Sequence, residues 1–307
     1  MSRKKSVTVR VPAKVNVQLA VGAARPDGFH DLANVFLAVS LYDEVTVTAA
    51  ETLTVTCAGP DADQVPLDRT NLAARAAEIL AARNGRSDAV HIHIAKNIPV
   101  AGGMAGGSAD GAGALLACDA LWGLDTPRAQ LLEICAELGS DVPFSLVGGA
   151  ALGTGRGEFL TPVEAGTFHW VFAVADGGLS TPAVFREFDR LAEGRSIPAP
   201  EASPALLAAL ASGDPAALAA TLANDLQPAA LSLRPQLAAT LEAGTSAGAL
   251  ATLVSGSGPT TAFLVRDEES ALKVAAALEA SGTCRTTRTA SGPAPGATVL
   301  GATVPGS

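Results

Sequence analysis

The chain reads Pro99-Val100-Ala101-Gly102-Gly103-Met104-Ala105-Gly106-Gly107-Ser108-Ala109-Asp110 where an alternating segment, 89–94, gives way to a run of small helix formers, 106–122. The alternation of apolar and polar residues in 89–94 is that of a half-buried strand. Side chains as small as those that follow let the backbone approach an anion, and consecutive N–H groups at a helix N-terminus form a phosphate site. The stretch therefore predicts a strand, a phosphate-binding loop and a helix in succession.

Two common phosphate-binding templates fit this loop poorly. A Walker loop laid over 102–107 lacks its lysine, because Ser108 stands at that place. A dinucleotide-binding fingerprint needs its glycines early in a βαβ unit, whereas residues 1–98 precede this run. A flexible glycine hinge that binds nothing is the remaining alternative.

The sequence before the loop predicts strands and one helix. β-Branched residues at 7–11 and 15–21 predict two strands joined by a bend at Pro12-Ala13-Lys14. Residues 71–83 predict a helix, with Thr70 as its N-cap. The first half of the chain is therefore expected to combine a sheet with helices.

After the loop, a helix is predicted to end at Leu138, because Gly139 follows it. Val142 precedes a proline, Pro143, which favours extended geometry at Val142. We therefore expect Asp141 to lie on an extended connector and not in a helix.

The second half of the chain predicts another α+β unit. A strand at 170–175 opens it, and Ser203-Pro204 and Asp214-Pro215 each begin a helix. A second glycine turn, 255–259, lies between two predicted strands; taken alone, it is an ordinary hairpin turn. The tail from Ser291 is rich in Gly, Pro, Ala and Thr and is expected to be loose at its end.

Composition excludes several classes of function. The chain has 21 Lys and Arg against 30 Asp and Glu, a formal net charge of −9, which argues against binding to the phosphate backbone of nucleic acids. Four scattered cysteines without a C-x-x-C pair predict reduced thiols. No signal peptide or membrane-spanning stretch is visible, so we expect a soluble cytoplasmic protein with no membrane or nucleic-acid partner.

Five blocks in this order resemble the GHMP kinase superfamily, named for galactokinase, homoserine kinase, mevalonate kinase and phosphomevalonate kinase. They are Pro12-Ala13-Lys14-Val15-Asn16, Asp27-Gly28-Phe29-His30, the loop 99–109, Gly139-Ser140-Asp141-Val142-Pro143 and Ser255-Gly256-Ser257-Gly258-Pro259.

Three further features are similar to one branch of that superfamily, whose acceptor is a methylerythritol that carries a cytidine diphosphate group. These features are the Asp-Gly-aromatic-His turn, Asp110 after Ser108-Ala109, and Asn224-Asp225-Leu226-Gln227-Pro228.

The resemblance implies a two-domain α+β fold with the active site in the cleft between the domains, 1–162 and 163–307. It implies transfer of the γ-phosphoryl group of ATP to the 2-hydroxyl of the methylerythritol unit, which yields ADP and the 2-phosphate in non-mevalonate isoprenoid synthesis. Mg²⁺ is expected to enter with ATP, and the sequence shows no dedicated carboxylate ligand for it. His91 and His93 lack a third ligand nearby, so no structural metal is assigned.

The resemblance also implies roles for individual residues. The loop 99–109 would wrap the ATP phosphates, Asp141 would act as the base, and Lys14 beside it would keep that carboxylate ionised. Taken singly, Asp141 could instead cap a helix and Lys14 could be a solvated surface residue. Lys96 and Asn71 are expected to contact adenosine.

At the acceptor end, Phe29 and Phe185 are expected to sandwich the cytosine ring, while His30 hydrogen-bonds its edge. Asn16 and Thr181 would hold the sugar alcohol. Phe185 could alternatively be a core residue, and a phenylalanine at position 29 stacks but lacks the phenolic hydroxyl that this branch often has there.

Three other functions stay open at this point. A sister kinase that acts on mevalonate, homoserine or a sugar would need Lys14, Asp141 and the loop but not an aromatic clamp. A non-catalytic nucleotide-binding regulator would be marked by loss of Lys14 or Asp141, and both are present. A nicotinamide-dependent oxidoreductase fits the loop least well. A monomer or a weak homodimer is expected.

Overall fold

The computed structural model describes residues 5–303, and within this range the strands form two sheets. The strands, in chain order, are β1 (Ser6–Ala24), β2 (His30–Ala50), β3 (Thr54–Ala58), β4 (Ala89–Ala95), β5 (Ala150–Thr154), β6 (Phe159–Pro162), β7 (Phe168–Val174), β8 (Ala223–Asn224), β9 (Ala251–Val254), β10 (Thr261–Val265), β11 (Thr286–Gly292) and β12 (Thr298–Thr303).

The helices are distributed over both halves of the chain. They are α1 (Leu72–Arg83), α2 (Gly106–Trp122), α3 (Arg128–Leu138), α4 (Val142–Val147), α5 (Thr181–Ala192), α6 (Pro204–Ser212), α7 (Pro215–Ala219), α8 (Gln227–Leu233), α9 (Leu237–Ser246) and α10 (Glu268–Ser281), with a 3₁₀ turn at Ala62–Gln64. No helix within residues 5–303 is long and apolar enough to cross a membrane.

The first sheet has the order β12-β1-β2-β4-β3, with β5 and β6 joined to β2 and with β8 beside β1. Its pairs are antiparallel except β3 with β4 and β1 with β8, which are parallel. The second sheet, β11-β7-β10-β9, is antiparallel throughout. Strands β8 and β12 come from the second half of the chain but belong to the first sheet. The sheets therefore do not divide the chain at a single position, and the predicted domain boundary at 162/163 stays a prediction.

The first part of β1 buries every second side chain, as expected of a strand, because Val7, Val9 and Val11 all lie in the core. The predicted bend at 12–14 was wrong, because β1 runs unbroken through it and only the pairing register shifts, between Pro12 and Ala13. Proline lacks an N–H donor, so it is accommodated where the ladder is already irregular. Lys14 therefore lies within a continuous strand.

Helix α2 packs closely on β1 and β2 because its residues are small. A Cβ atom added at Gly113 would lie 2.7 Å from Val11 Cγ2 and 2.9 Å from Val45 Cγ2. The backbone N–H of Lys14 donates to Met104 O at 3.3 Å, so the glycine loop that precedes α2 lies directly beside the middle of β1.

Two other local expectations differ from the structure. The N-cap of α1 is Asn71 and not Thr70, since Asn71 Oδ1 accepts the N–H of Ala73 at 2.8 Å. The predicted extended connector at 141–143 was also wrong: Val142 and Pro143 form the first turn of α4. Proline fits there because the first N–H groups of a helix have no partner within it.

Within the chain after Ser291, β12 pairs with β1, a strand that the sequence analysis did not predict. The last four positions of the tail, 304–307, where the loose end was expected, lie outside the described residues.

Candidate active site

A cleft of about 810 Å³ lies between the glycine loop, the turn at 256–258 and α5. Its walls come from both halves of the chain, because the first half contributes Lys14 and the loop, and the second half contributes Thr181 and Phe185. A cleft of this size, with convergent polar groups, is the usual setting of a small-molecule site.

The glycine loop lines one end of the cleft. Ala101, Gly102, Gly103, Ala105, Gly106, Gly107 and Ser108 contribute to the lining. Of the other predicted loop residues, Pro99 and Val100 lead into the turn, whereas the side chains of Met104 and Ala109 are fully buried in the core. The loop ends at the first turn of α2, where free N–H groups and the helix dipole favour an anion.

Backbone geometry shows why Gly103 is a glycine. Its φ is 76°, and a Cβ atom there would lie 2.1 Å from the carbonyl oxygen of Ser255. Ser255 Oγ also donates to Gly103 O at 3.1 Å, and Thr260 N donates to Gly102 O at 3.3 Å. The second glycine turn is therefore packed directly against the first, which the sequence alone did not require.

Lys14 lies where these two turns meet. Its Nζ donates to Asn16 Oδ1 at 2.7 Å and to Gly103 O at 2.8 Å, and lies 3.6 Å from Asp141 Oδ2. Burial lowers the pKa of Lys14, and the attraction of Asp141 partly offsets that effect. A lysine ammonium has three donors, so the third remains for Asp141 or for a bound phosphoryl group.

Asp141 reaches Lys14 from the N-terminus of α4. Its side chain is 31% exposed, so a substrate can reach the carboxylate from the cleft. Its carbonyl oxygen accepts the N–H of Ser145 at 3.1 Å, which ties its backbone to the helix. Residues far apart in sequence thus bring an amine and a carboxylate together beside the phosphate loop.

Asn16 is held by a partner that the sequence reasoning missed. Its Nδ2 donates to Asn34 Oδ1 at 2.7 Å, across the β1–β2 pair. Both asparagines line the cleft, although little of either side chain is exposed. A single asparagine within the apolar run 32–39 was the only available signal for Asn34.

The other end of the cleft is aromatic. Phe29 is 49% exposed, and the ring of His30 packs on Phe185 with 5.0 Å between centroids. His30 Nε2 lies 2.8 Å from Asp189 Oδ1, so one of its ring nitrogens already has a partner. Only the other ring nitrogen is left to hydrogen-bond a base. Thr181, the predicted sugar contact, also lines the cleft, and its Oγ1 lies 2.8 Å from Ser257 Oγ.

Lys96 is not placed at the surface of the cleft. Its Nζ lies 2.6 Å from both Asp43 Oδ2 and Asp110 Oδ2, and its side chain is only 2% exposed. Burial by itself would lower the pKa of Lys96, but the two carboxylates outweigh it and the pKa lies above its ordinary value. The ammonium lies directly behind Gly106, where an added Cβ would approach it to 3.0 Å.

Asn71 is likewise engaged within the protein, because it caps α1 and its Nδ2 donates to Pro66 O at 2.7 Å. Lys96 and Asn71 therefore support the loop and α1 in this structure, and their contact with adenosine stays a prediction.

The block at 224–228 anchors the second glycine turn. Asn224 Nδ2 donates to Val254 O at 2.8 Å and to Gly256 O at 2.7 Å, while its Oδ1 accepts the N–H of Leu226 at 2.9 Å. Asp225 Oδ2 accepts the N–H of Val21 at 2.9 Å and so links this block to β1.

Two segments of the chain match models of known families. Residues 71–149 match the GHMP kinases N terminal domain, and residues 206–284 match the GHMP kinases C terminal domain.

Bacterial relatives cover almost the whole chain. A Streptomyces avermitilis protein named 4-diphosphocytidyl-2-C-methyl-D-erythritol kinase is 76% identical over 296 residues, 96% of this chain and 100% of the relative. A Thermobifida fusca protein of the same name is 60% identical over 309 residues, 98% of this chain and 100% of the relative.

Solved structures of kinases are also similar to this chain. A crystal structure of 4-(cytidine 5'-diphospho)-2C-methyl-D-erythritol kinase superposes with a TM-score of 0.74 at 32% identity, over 92% of this chain and 98% of that one. A homoserine kinase from Cytophaga hutchinsonii superposes with a TM-score of 0.71 at 20% identity, over 98% of this chain and 99% of that one, and shows the fold alone.

Proposed function

The chain belongs to the GHMP kinases, in the family of 4-diphosphocytidyl-2-C-methyl-D-erythritol kinases, and on that basis we propose that it phosphorylates the 2-hydroxyl of 4-diphosphocytidyl-2-C-methyl-D-erythritol with ATP. The observation that carries the proposal is the approach of Lys14 Nζ to Asp141 Oδ2, 3.6 Å, beside the phosphate loop. The products of the proposed reaction are ADP and the 2-phosphate of the acceptor.

The reaction joins one oxygen to phosphorus and releases another. Asp141 accepts the proton of the 2-hydroxyl as its oxygen bonds to the γ-phosphorus, and the bond from that phosphorus to the bridging oxygen of ADP breaks. Phosphoryl transfer passes through a loose transition state, so positioning and charge stabilisation carry most of the catalysis. Lys14 counters the negative charge of the transferred group.

The loop and the first turn of α2 hold the triphosphate. Gly106 and Gly107 carry no side chain, and a Cβ at Gly107 would meet nothing within 4 Å, so the backbone is open to the phosphates. Mg²⁺ bound with ATP supplies neutralising charge. The Ser108 hydroxyl, which lines the cleft at the first turn of α2, would suit such an ion, because Mg²⁺ binds through one or two protein oxygens, phosphates and waters.

The aromatic end of the cleft favours this acceptor over those of sister kinases. Phe29, His30 and Phe185 offer ring faces and a ring nitrogen to a cytosine, which mevalonate, homoserine and galactose lack. A non-catalytic regulator would not need the Lys14–Asp141 pair. We also propose a cytoplasmic location and a monomer or weak homodimer.

The test is an assay of ADP release with the purified chain, ATP and Mg²⁺. Diphosphocytidyl methylerythritol, mevalonate, homoserine and galactose are offered in parallel. We expect turnover with the first only. Turnover of mevalonate alone would refute the assigned acceptor, and no turnover with any of them would favour a regulator.

A further inference from the structure

Arg156 occupies the tip of the β5–β6 hairpin, at the acceptor end of the cleft. The N–H of Gly157 donates to Thr154 O at 3.0 Å and closes the turn. The N–H of Leu32 donates to Gly155 O at 2.8 Å, which ties the tip to β2 two residues after His30. The hairpin therefore fixes Arg156 beside the aromatic residues that are proposed to hold the base.

The guanidinium of Arg156 is oriented by two neighbours. Its Cζ lies 5.0 Å from the centroid of the Phe29 ring, within the range of a cation–π contact. Its Nε donates to Glu158 Oε1 at 3.1 Å, and its backbone N–H donates to Glu158 Oε2 at 2.6 Å. The side chain of Glu158 is only 10% exposed, so its packing holds the carboxylate that positions Arg156.

The remaining donors of this guanidinium are unused. Neither Nη atom of Arg156 donates a hydrogen bond to any residue between 5 and 303, and the side chain lines the cleft. Two Nη groups present a planar fork of N–H donors, which matches the geometry of phosphate oxygens. A guanidinium that is held at Nε and open at Nη suits an anionic ligand.

The charges along the cleft indicate where that anion lies. Lys14, Arg156 and Arg186 are the Lys and Arg residues that line the described cleft. Lys14 is engaged at the phosphoryl-transfer end, and Arg186 lies on the exposed surface of α5. The proposed acceptor carries a diphosphate between its cytidine and its methylerythritol, so its anionic centre falls between the aromatic end and the Lys14–Asp141 pair.

We propose that Arg156 is a specificity-determining residue that binds the diphosphate of the acceptor through its two Nη groups. The inference rests on the proposed function and deepens it. It assigns to one hairpin residue the discrimination between a nucleoside diphosphate and an uncharged nucleoside.

The test compares the binding of CDP with that of cytidine by calorimetry, with no ATP present. The wild-type chain should bind CDP more tightly than cytidine. Arg156→Met should weaken CDP by about 10- to 100-fold, the factor expected for a lost hydrogen-bonded charge contact, and should change cytidine by less than about threefold. Arg156→Lys should restore part of the CDP affinity, because it keeps the charge but not the fork.

Steady-state kinetics provides a second measurement. Arg156→Met should raise KM for diphosphocytidyl methylerythritol by a similar factor, while kcat and KM for ATP stay within about threefold of wild type. An unchanged KM for ATP also shows that the variant is folded.

Arg10→Met is the matched control. Arg10 stacks over Tyr42 at 5.4 Å and pairs with Glu44, as Arg156 does with Phe29 and Glu158, but it does not line the cleft. It should alter neither CDP nor cytidine binding.

Three results would overturn the inference in distinguishable ways. If Arg156→Met weakens CDP and cytidine equally, the residue acts only through Phe29. If the variant keeps the wild-type preference for CDP, another group binds the diphosphate, and the proposed function survives. If the wild-type chain binds neither compound, the proposed function fails together with the inference.

Discussion

Lys14 illustrates how a single residue acquires its role from several elements. Its own strand positions the amine, Gly103 and Asn16 orient it, and Asp141 faces its remaining donor at 3.6 Å. The resemblance led us to expect Asp141 beside Lys14, whereas the bonds of Lys14 to Asn16 Oδ1 and Gly103 O were not expected, because they depend on how β1 packs against the glycine loop.

At this scale the first prediction concerns the proposed base. Asp141→Asn should lower kcat by about 10²-fold or more, because the amide cannot accept the hydroxyl proton, while ATP affinity changes little. The measurement is ADP release together with an ATP-binding titration.

Asp189→Asn is its control, because Asp189 also lines the cleft but bonds to His30. This variant should raise KM for the acceptor more than it lowers kcat. Wild-type turnover in Asp141→Asn would remove Asp141 from the mechanism.

Asp110 supports a second residue-scale prediction, on stability. Burial, together with repulsion from Asp43, raises the pKa of Asp110 to about 7 despite the neighbouring Lys96. The folded state then binds more protons than the unfolded state between roughly pH 4 and pH 7, so this group makes stability fall as pH rises through that window.

Asp110→Asn removes that titration. The unfolding free energy of the variant relative to wild type should therefore increase by about 1 to 3 kcal/mol from pH 5 to pH 8, as measured by urea unfolding. A difference that stays flat with pH would show that Asp110 titrates normally. The Asp267→Asn variant should show the opposite pH dependence. The N–H of Ser270 donates to the Asp267 carboxylate and lowers its pKa, so this group makes stability fall on acidification.

At the scale of the element, the glycine loop and the 255–259 turn act as one unit. Gly103 O accepts from Lys14 Nζ and from Ser255 Oγ, so one carbonyl joins three segments. Asn224 holds the second turn from behind. A hairpin turn that is unremarkable alone thus becomes part of the site through its packing.

Gly103→Ala tests this packing. The positive φ of 76° and a Cβ 2.1 Å from Ser255 O both oppose the methyl group, so we expect a loss of about 2 to 4 kcal/mol in stability and weakened ATP binding. Gly301→Ala is the matched control, because a Cβ there meets nothing within 4 Å. It should stay within about 0.5 kcal/mol of wild type. Equal stability of the two variants in urea unfolding would contradict the close approach.

Helix α4 shows where local rules misled the prediction. The residue before a proline usually avoids helical geometry, which suggested an extended Val142. The tertiary structure instead uses Pro143 in the first turn of a helix, and this turn places Asp141 opposite Lys14. The competing rule, that proline is favoured in the first turn, prevailed because α4 packs against the core.

At the scale of the whole molecule, an ion pair joins the two halves of the chain. Both Nη atoms of Arg285, the residue before β11, donate to the carboxylate of Asp61, which follows β3. The guanidinium lowers the pKa of Asp61, so the pair contributes stability above the ordinary pKa of aspartate and loses it on acidification.

Arg285→Met should therefore destabilise the chain by about 1 kcal/mol at pH 7, with a smaller difference from wild type near pH 3, in urea unfolding. Asp176→Asn is the control, because Asp176 is 84% exposed and lies 4.0 Å from the same guanidinium. It should cause no measurable change. If the loss of unfolding free energy in Arg285→Met were the same at pH 3 and pH 7, the stabilisation would not come from the charges of the pair.

The sequence by itself determined the family, the α+β fold class and the loop–helix junction, because these depend on short blocks whose residue types have local physical meaning. The comparisons confirm that family and fold. The sequence also indicated the glycine loop, the Lys14–Asp141 pair and the aromatic residues among those that line the cleft.

Only the tertiary structure decided how those residues meet. It placed Lys96 and Asn71 behind the site, added β12 to the first sheet, and brought Asn34 and Arg156 to the cleft. Arg156 stands between two glycines in a hairpin tip, where sequence offers no sign of its partner Phe29. Contacts between distant segments depend on packing that a local pattern does not encode, and for that reason the order of residues alone left them open.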